Sequence, residues 1–293
     1  TTFDTPLALL REVFRDLGLE PDIKISNLPF APLGSLFKGR DEFLDNIRTT
    51  LGSVQFRGHK RAAAITSAAS IASVHGMGGV GKTRAAIEFA HRFRDDYTAL
   101  LFVSADSPAR LEANLASLCG AAVLNLPEQS AREQEVQTAA ALNWLRSHPG
   151  WLLIFDNVDS EEAAKAVDDL VSRLSPAGHV IVTSRLGNWS GEFEPLHMDV
   201  LTVEASTEFL LERTDGRRRN TPEENTLAER LAIKLGQLAL ALEQAGANIS
   251  CERLTFAQYL ERWEAADGGV LAWFDERLMK YPRSVATTWQ ASF

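Results

Sequence analysis

The sequence predicts an α/β fold: a mostly parallel sheet between helices, followed by a small all-helical region. Three observations carry this. Short apolar runs bounded by polar or glycine signals recur between residues 71 and 203, and helical patterns fill the gaps between them. The runs WLLIF and VIV are unbroken rather than alternating, which fits strands covered on both faces. After about residue 203 only helical periodicity remains.

The elements follow in chain order. Residues 6–17 read as a short amphipathic helix ended by Gly18, and Pro21, Pro29 and Pro32 punctuate an extended arm. Residues 41–51 place Phe43, Leu44, Ile47 and Leu51 on one helical face. Strands are expected at 71–75, 99–105, 151–156 and 179–184, with a weaker one at 198–203. Helices are expected at 82–95, about 107–120, 132–147 and 160–174. Asp159 is the expected cap of the helix at 160–174, with Glu162 closing a box, and its alternative role is that of a base toward water. Thr221-Pro222-Glu223-Glu224 reads as a further helix start, with Thr as cap, Pro in the first turn and Glu closing the box. Leu227, Leu231 and Leu235 then recur every four residues. Thr255 and Gln258 form another capping box, with Leu254 and Tyr259 as its hydrophobic staple. A last helix is expected over 267–280, before Pro282. The expected divisions are a helix and arm over 1–35, an α/β domain over 36–203 and a helical subdomain over 204–283.

Composition narrows the classes. A chain of 293 residues, 45 % apolar and 24 % charged, can bury a real core in one large domain or two modest ones. It is not collagen-like, low-complexity or a disulfide scaffold. Thirty basic and thirty-nine acidic residues give a net charge of −9, which argues against tight nonspecific nucleic-acid binding. Cys119 and Cys251 read as two thiols in a reducing cytoplasm. Residues 62–81 carry no formal charge, but Thr66, Ser67, Ser70, Ser73, His75 and four glycines make them too polar to span a membrane. Without an initial Met, the chain reads as an excised piece of a longer protein. Arg217-Arg218-Arg219 reads as a solvated loop.

The chemistry is concentrated in GMGGVGKT, Gly76 to Thr83, which satisfies G-x-x-x-x-G-K-[ST]. Glycines let backbone amides curl around phosphate oxygens with no Cβ in the way. The following helix adds the partial positive charge of its N-terminus. Lys82 is placed to reach β- and γ-phosphates, and the Thr83 hydroxyl to ligate Mg²⁺. WLLIFDNVD supplies the matching acid: Asp156, at a strand end, is the expected second metal ligand. The next residue is Asn157, and an amide cannot act as a base toward water, so efficient hydrolysis is not expected. HVIVTSR ends in Arg185, whose guanidinium is placed to sense a γ-phosphate through charge-assisted hydrogen bonds.

GMGGVGKT, LLIFDNVD, VIVTSR and LGQLALALEQAGA, in this order and spacing, resemble the NB-ARC ATPases of the STAND class. These are the switch ATPases of plant disease-resistance and apoptosome proteins, with bacterial and fungal relatives. LFKGRDEF resembles their upstream element. The resemblance covers residues 36–293. It implies a P-loop NTPase domain over 36–203, an ARC-type helical subdomain over 204–283 and the start of a winged-helix subdomain over 284–293. It implies ADP or ATP with Mg²⁺ as ligands. Phe37, Gly39 and Arg40 would line the adenine side, and Gly78, Gly79, Val80, Gly81, Lys82, Thr83 and Arg84 would cradle phosphates. The family's G-L-P-L-A element reads Gly236-Gln237-Leu238-Ala239-Leu240, so Leu238 would meet the base without proline's rigid kink. The resemblance also implies self-association of the full-length protein, an upstream effector and downstream repeats of the tetratricopeptide type.

Two functions follow as expectations. One is a nucleotide-gated switch, in which ADP holds the domains closed and ATP exchange opens them for oligomerisation. The other is an ATPase whose turnover is the output, at most a slow one given Asn157. Moving a switch from 1:99 to 99:1 takes about 5.5 kcal/mol of differential binding. One hydrogen bond to a charged group supplies about 1.5–3 kcal/mol. Arg185 alone therefore does not throw such a switch, and this stretch of chain is expected to bind nucleotide but switch poorly.

Overall fold

Trp151 to Phe155 are each at most 1 % exposed, and with Asp156 they form strand β4. That burial on both faces is what the unbroken apolar run demands. The structure, a computed structural model, describes residues 24–52, 62–67, 79–174, 178–189, 193–219 and 221–265. The expected helices at 6–17 and 267–280, the run 71–75, the segment 281–293, and Gly76 and Gly78 lie outside the described residues.

The strands are β1 (Ile25–Ser26), β2 (Ala62–Ser67), β3 (Ala99–Ser104), β4, β5 (His179–Thr183) and β6 (Phe193–Met198). They form a sheet in the order β1-β3-β4-β5-β2-β6. The pairings of β1 with β3, β3 with β4, β4 with β5 and β5 with β2 are all parallel. The helices are α1 (Asp41–Leu51), α2 (Lys82–Arg92), α3 (Pro108–Ser117), α4 (Gln134–Ser147), α5 (Glu161–Val171), α6 (Val203–Arg213), α7 (Glu224–Lys234), α8 (Ala239–Glu252) and α9 (Phe256–Glu264). This is the α/β architecture read from the sequence, with the helical region after it. No helix among the described residues is long and apolar enough to cross a membrane.

The order matters for chemistry. The chain leaves β2 toward β3 on one flank and leaves β5 toward β6 on the other, while β2 and β5 lie side by side. Ligands of open parallel sheets bind at the carboxyl ends of strands, where the winding reverses in this way.

Contacts divide the chain into two units, with boundaries after Pro32 and inside α1, β2, α2 and β6. The first takes its described residues from Thr1–Pro32, Asn46–Thr66 and Ala86–Leu196. Its core joins the inner strands to Leu111, Leu115, Ala141, Leu145, Val167 and Val171 of α3, α4 and α5. The second takes its described residues from Leu33–Asp45, Ser67–Ala85 and His197–Phe293. Its core gathers Val80, Phe209, Leu210, Leu231, Leu242, Phe256 and Tyr259.

Several sequence expectations need correction. AAAITS forms a strand (β2) that is not among the expected ones. The weak strand expected at 198–203 is instead β6, ending at Met198, after which Thr202 caps α6 by accepting from Ala205 N at 3.1 Å. α5 is capped by Ser160, which accepts from Ala163 N at 3.2 Å, and not by Asp159. α7 starts at Glu224 with no side-chain cap; only Glu224 Oε1, accepting from Thr221 N at 3.1 Å, survives of the expected box. The box at Thr255 and Gln258 is present in both directions, at 3.1 and 3.0 Å. Arg218 is not a solvated residue of its run: its side chain is 6 % exposed, paired with Glu224 and laid over Phe256.

Candidate functional site

In the first unit, the carboxyl ends of β4 and β5 are stitched together by side chains. Thr183 Oγ1 donates to Asp156 Oδ1 at 2.6 Å and accepts from Asn157 N at 3.0 Å. Val158 N donates to Thr183 O at 3.0 Å, and Ser184 Oγ donates to Val158 O. On the other side, Ser184 N donates to Ile65 O of β2 at 3.0 Å. Asn157 sits at φ +64°, a left-handed conformation that Asn and Asp adopt more readily than other residues with side chains. Asp159 turns toward the end of β5: its Oδ1 accepts from Arg185 N at 2.7 Å and its Oδ2 lies 3.0 Å from Arg185 Nε. So Asp156, Thr183, Asp159 and Arg185 form one cluster at the strand ends.

In the second unit, Gly79 at φ +106° and Gly81 at φ +103° hold a backbone shape that an L residue rarely adopts. A Cβ on Gly79 would lie 3.2 Å from Leu240 Cβ, and Gly79 O accepts from Leu240 N at 3.1 Å. α2 opens at Lys82, so Lys82 and Thr83 stand on its first turn, where backbone N–H groups have no intrahelical partner.

Beside this loop lies a pocket with an empty volume of about 380 Å³, its open mouth included. Leu33, Leu36, Phe37, Lys38 and Arg40 line it from the upstream segment, and Val80, Gly81 and Arg84 from the loop and α2. Met198, Leu201, Phe209 and Ala239 complete it. Arg40 and Arg84 are buried. Arg40 Nη2 donates to Asp199 O. Lys38 pairs with Glu212 at 2.6 Å, and hydrogen bonds from Lys38 and then Ser35 hold the Glu212 carboxyl below its ordinary range. Gly39, at φ +64°, lets the segment pass α6, because a Cβ there would lie 2.6 Å from Ala205 Cβ.

The element around Leu238 differs from the reading in one respect. Gly236 at φ +62°, Gln237 at φ +52° and Leu238 at φ −75° break the chain between α7 and α8. Leu238 thus holds the φ a proline would fix, and the kink is present without proline. Leu238 is buried in the helical core, and Ala239 is the residue of this element that lines the pocket.

Thus Phe37, Arg40, Val80, Gly81 and Arg84 share one pocket, and Asp156 and Arg185 share one strand-end cluster. Sequence reading missed Thr183 and Asp159 as partners there, and Met198, Leu201 and Phe209 in the pocket. Only the strand-end run HVIVTSR, which contains Thr183, pointed at one of them.

Comparison with known proteins gives the following. No family model matches the chain. A nucleotide-binding leucine-rich repeat (NLR)-like protein of Hyaloscypha variabilis is 29 % identical over 264 residues, 82 % of this chain and 25 % of the relative. The chain therefore spans about a quarter of that relative's length. A solved structure, a signal transduction ATPase with numerous domains (STAND) protein with a tetratricopeptide repeat sensor from Pyrococcus horikoshii, aligns with 87 % of this chain and 37 % of its own at 19 % identity and a TM-score of 0.44. The NLR-like relative agrees with the NB-ARC resemblance that the four motifs carry.

Proposed function

We propose that this chain, similar to an NLR-like protein, is an adenine-nucleotide-binding switch module of a signalling protein. In this reading it takes ADP or ATP with Mg²⁺, hydrolyses slowly or not at all, and controls self-association of the full-length protein through its nucleotide state. A cytoplasmic, immune-type role with an effector module upstream and repeats downstream is part of the same proposal.

One observation carries it: two glycines at strongly positive φ lead into the first turn of α2 beside an apolar pocket edged by two buried arginines. An apolar slot suits a flat base, and the N-terminus of a helix suits phosphate oxygens. Arg40 and Arg84 add positive charge at the pocket wall.

A magnesium ion is part of the same proposal. In the first unit Asp156 is a carboxylate held in place by the Thr183 hydroxyl, and in the second Thr83 carries a hydroxyl on the first turn of α2; each is an oxygen ligand of the kind Mg²⁺ takes. Among the described residues no group of three or more His, Cys, Asp or Glu could hold a metal alone. Mg²⁺ takes one or two protein ligands and leaves the rest to phosphates and water. When bound, the ion would neutralise phosphate charge.

Slow hydrolysis has structural support. Asn157 offers an amide where a base is needed, and Asp159 is engaged by Arg185.

The test is to denature the purified chain and identify released nucleotide by anion-exchange chromatography. Stoichiometric ADP or ATP, lost in Lys82→Ala, is the expected result. A chain that copurifies empty and then binds neither ADP nor ATP on titration would overturn the proposal, as would retention by Lys82→Ala.

A further inference from the structure

We infer that Glu212 is the positioning residue of the pocket's upstream wall, and that it sets how slowly a bound adenine nucleotide leaves. The inference rests on the nucleotide-binding reading above and names a residue that this reading leaves without a role. Every residue it uses belongs to the second unit.

The wall is the segment from Leu33 to Arg40, of which Leu33, Leu36, Phe37, Lys38 and Arg40 line the pocket. Regular structure does little to hold it. Its one helical piece is a single 3₁₀ turn, Gly34–Leu36, with no side-chain cap. Leu36 and Phe37 are only half-buried, so packing alone does not lock them. Glu212 of α6 holds the stretch that bears them. Its carboxylate lies 2.6 Å from the Lys38 ammonium and accepts a hydrogen bond from the Ser35 side chain. Ser35 and Lys38 stand on either side of Leu36 and Phe37. One carboxylate thus ties both ends of this pocket-lining pair to α6 through charge-assisted bonds.

The setting of Glu212 points the same way. It is the last residue but one of α6, in the turn where the helix dipole disfavours a negative charge. The carboxylate therefore serves the segment rather than its own helix. It is not among the residues that line the pocket, so it acts through the wall and not on a ligand. The far end of the segment is anchored separately: Gly39 passes close to Ala205, and Arg40 donates to Asp199 O. Those contacts fix residues 39 and 40, and the Glu212 contacts fix residues 35 to 38. A wall already held need not be ordered on binding, and it must loosen before a ligand departs. Its tether should therefore show mainly in the dissociation rate.

The experiment follows displacement of methylanthraniloyl-ADP by excess ADP in stopped flow, with Mg²⁺. The proteins are the parent chain, Glu212→Ala, Glu212→Gln, Glu212→Lys and the charge swap Lys38→Glu/Glu212→Lys. Glu212→Ala is expected to raise the dissociation rate about three- to tenfold. Its association rate should stay within about twofold of the parent's. Glu212→Gln keeps the shape and one acceptor oxygen, so it should raise the dissociation rate less. Glu212→Lys faces Lys38 with a like charge and should raise it most. The swap rebuilds an ion pair between the same two positions and should bring the rate back to within about twofold of the parent's. A direct ligand contact or a general loss of stability would not give that rescue. If Glu212→Ala does not fold, the Gln variant and the swap carry the test. An unchanged rate in the single Glu212 variants would overturn the inference while leaving the nucleotide reading intact, as would a raised rate that the swap fails to lower. Failure of that reading would show separately, as a parent chain that binds no nucleotide or a Lys82→Ala variant that binds like the parent, and the inference would fall with it.

Discussion

Thr183 Oγ1 donates a 2.6 Å hydrogen bond to Asp156 Oδ1, linking the last residue of β5 to the last residue of β4. The same hydroxyl accepts from Asn157 N at 3.0 Å, so one oxygen fixes both the acid and the turn after it. Outer groups that orient a metal-binding carboxylate are worth about 10- to 100-fold in metal affinity. Thr183→Val keeps the shape and removes the hydroxyl. It is expected to raise the Mg²⁺ concentration needed for half-maximal nucleotide binding about tenfold, with Thr183→Ser close to the parent. A Mg²⁺ titration at fixed nucleotide reads this directly. Equal midpoints in all three proteins would remove Thr183 from the site.

Gly34 and Gly39 have nearly the same backbone, at φ +62° and +64°, but different surroundings. A Cβ on Gly34 meets nothing within 4 Å, whereas one on Gly39 would lie 2.6 Å from Ala205 Cβ. Gly34→Ala should therefore cost only the left-handed penalty, about 1–2 kcal/mol. Gly39→Ala adds overpacking against α6 and should cost about 2–5 kcal/mol in all. Urea unfolding of the two variants, side by side, separates strain from contact. Equal losses would mean that α6 yields to the extra methyl group.

How much of this was legible beforehand depends on whether the signal was local. The strands β3, β4 and β5 were read nearly to the residue, because double-sided burial forces an unbroken apolar run. β2 was missed because three alanines give little strand signal. Its strand character comes from pairing with β5 in register Ala62 to Val180. β6 was displaced because Pro195 in FEPLHM reads as a breaker; it survives because β6 ends the sheet order, where proline is tolerated. Asp159 and Ser160 are both good capping residues, one position apart. What assigns the cap to Ser160 is Arg185, twenty-six residues onward, which claims the carboxylate. The phosphate-loop motif was legible as a local pattern, whereas the pocket residues from α6 and β6 were not.

His179 at the start of β5 gives the first unit a pH dependence. It is buried, its Nδ1 is 2.9 Å from Tyr97 Oη, and the rings meet edge to face. Burial pushes its pKa below the ordinary 6.5, with the nearby Asp96 charge opposing weakly. A lowered folded-state pKa means the unfolded chain takes up the proton first. The stability contributed by neutral His179 is therefore complete above pH 6.5 and declines as pH falls below it. Glu212 and Glu224, whose hydrogen bonds from Lys38 and Arg218 lower their pKa from 4.5, lose their contributions only in a more acidic window. The urea midpoint should then fall as the pH drops below 6.5 in the parent, and His179→Gln should remove that fall. A slope that persists in the variant would assign it to another group.

Arg213 of α6 and Glu243 of α8 make a two-bond ion pair, Nε to Oε2 at 2.9 Å and Nη2 to Oε1 at 3.1 Å, with side chains 7 % and 2 % exposed. Gly246, one turn on, makes room for it: a Cβ there would lie 2.7 Å from Arg213 Cγ. Taking both charges out of water costs several kcal/mol per ion, and their attraction roughly returns it. The pair is therefore worth little over a well-packed apolar substitute, but half of it is far worse than nothing. Glu243→Leu removes the carboxylate opposite a buried guanidinium and should lower stability by about 3–5 kcal/mol. Adding Arg213→Met removes the remaining charge and should recover most of that loss. A double variant as unstable as the single one would mean that the carboxylate itself, through partners beyond Arg213, holds α8 in place.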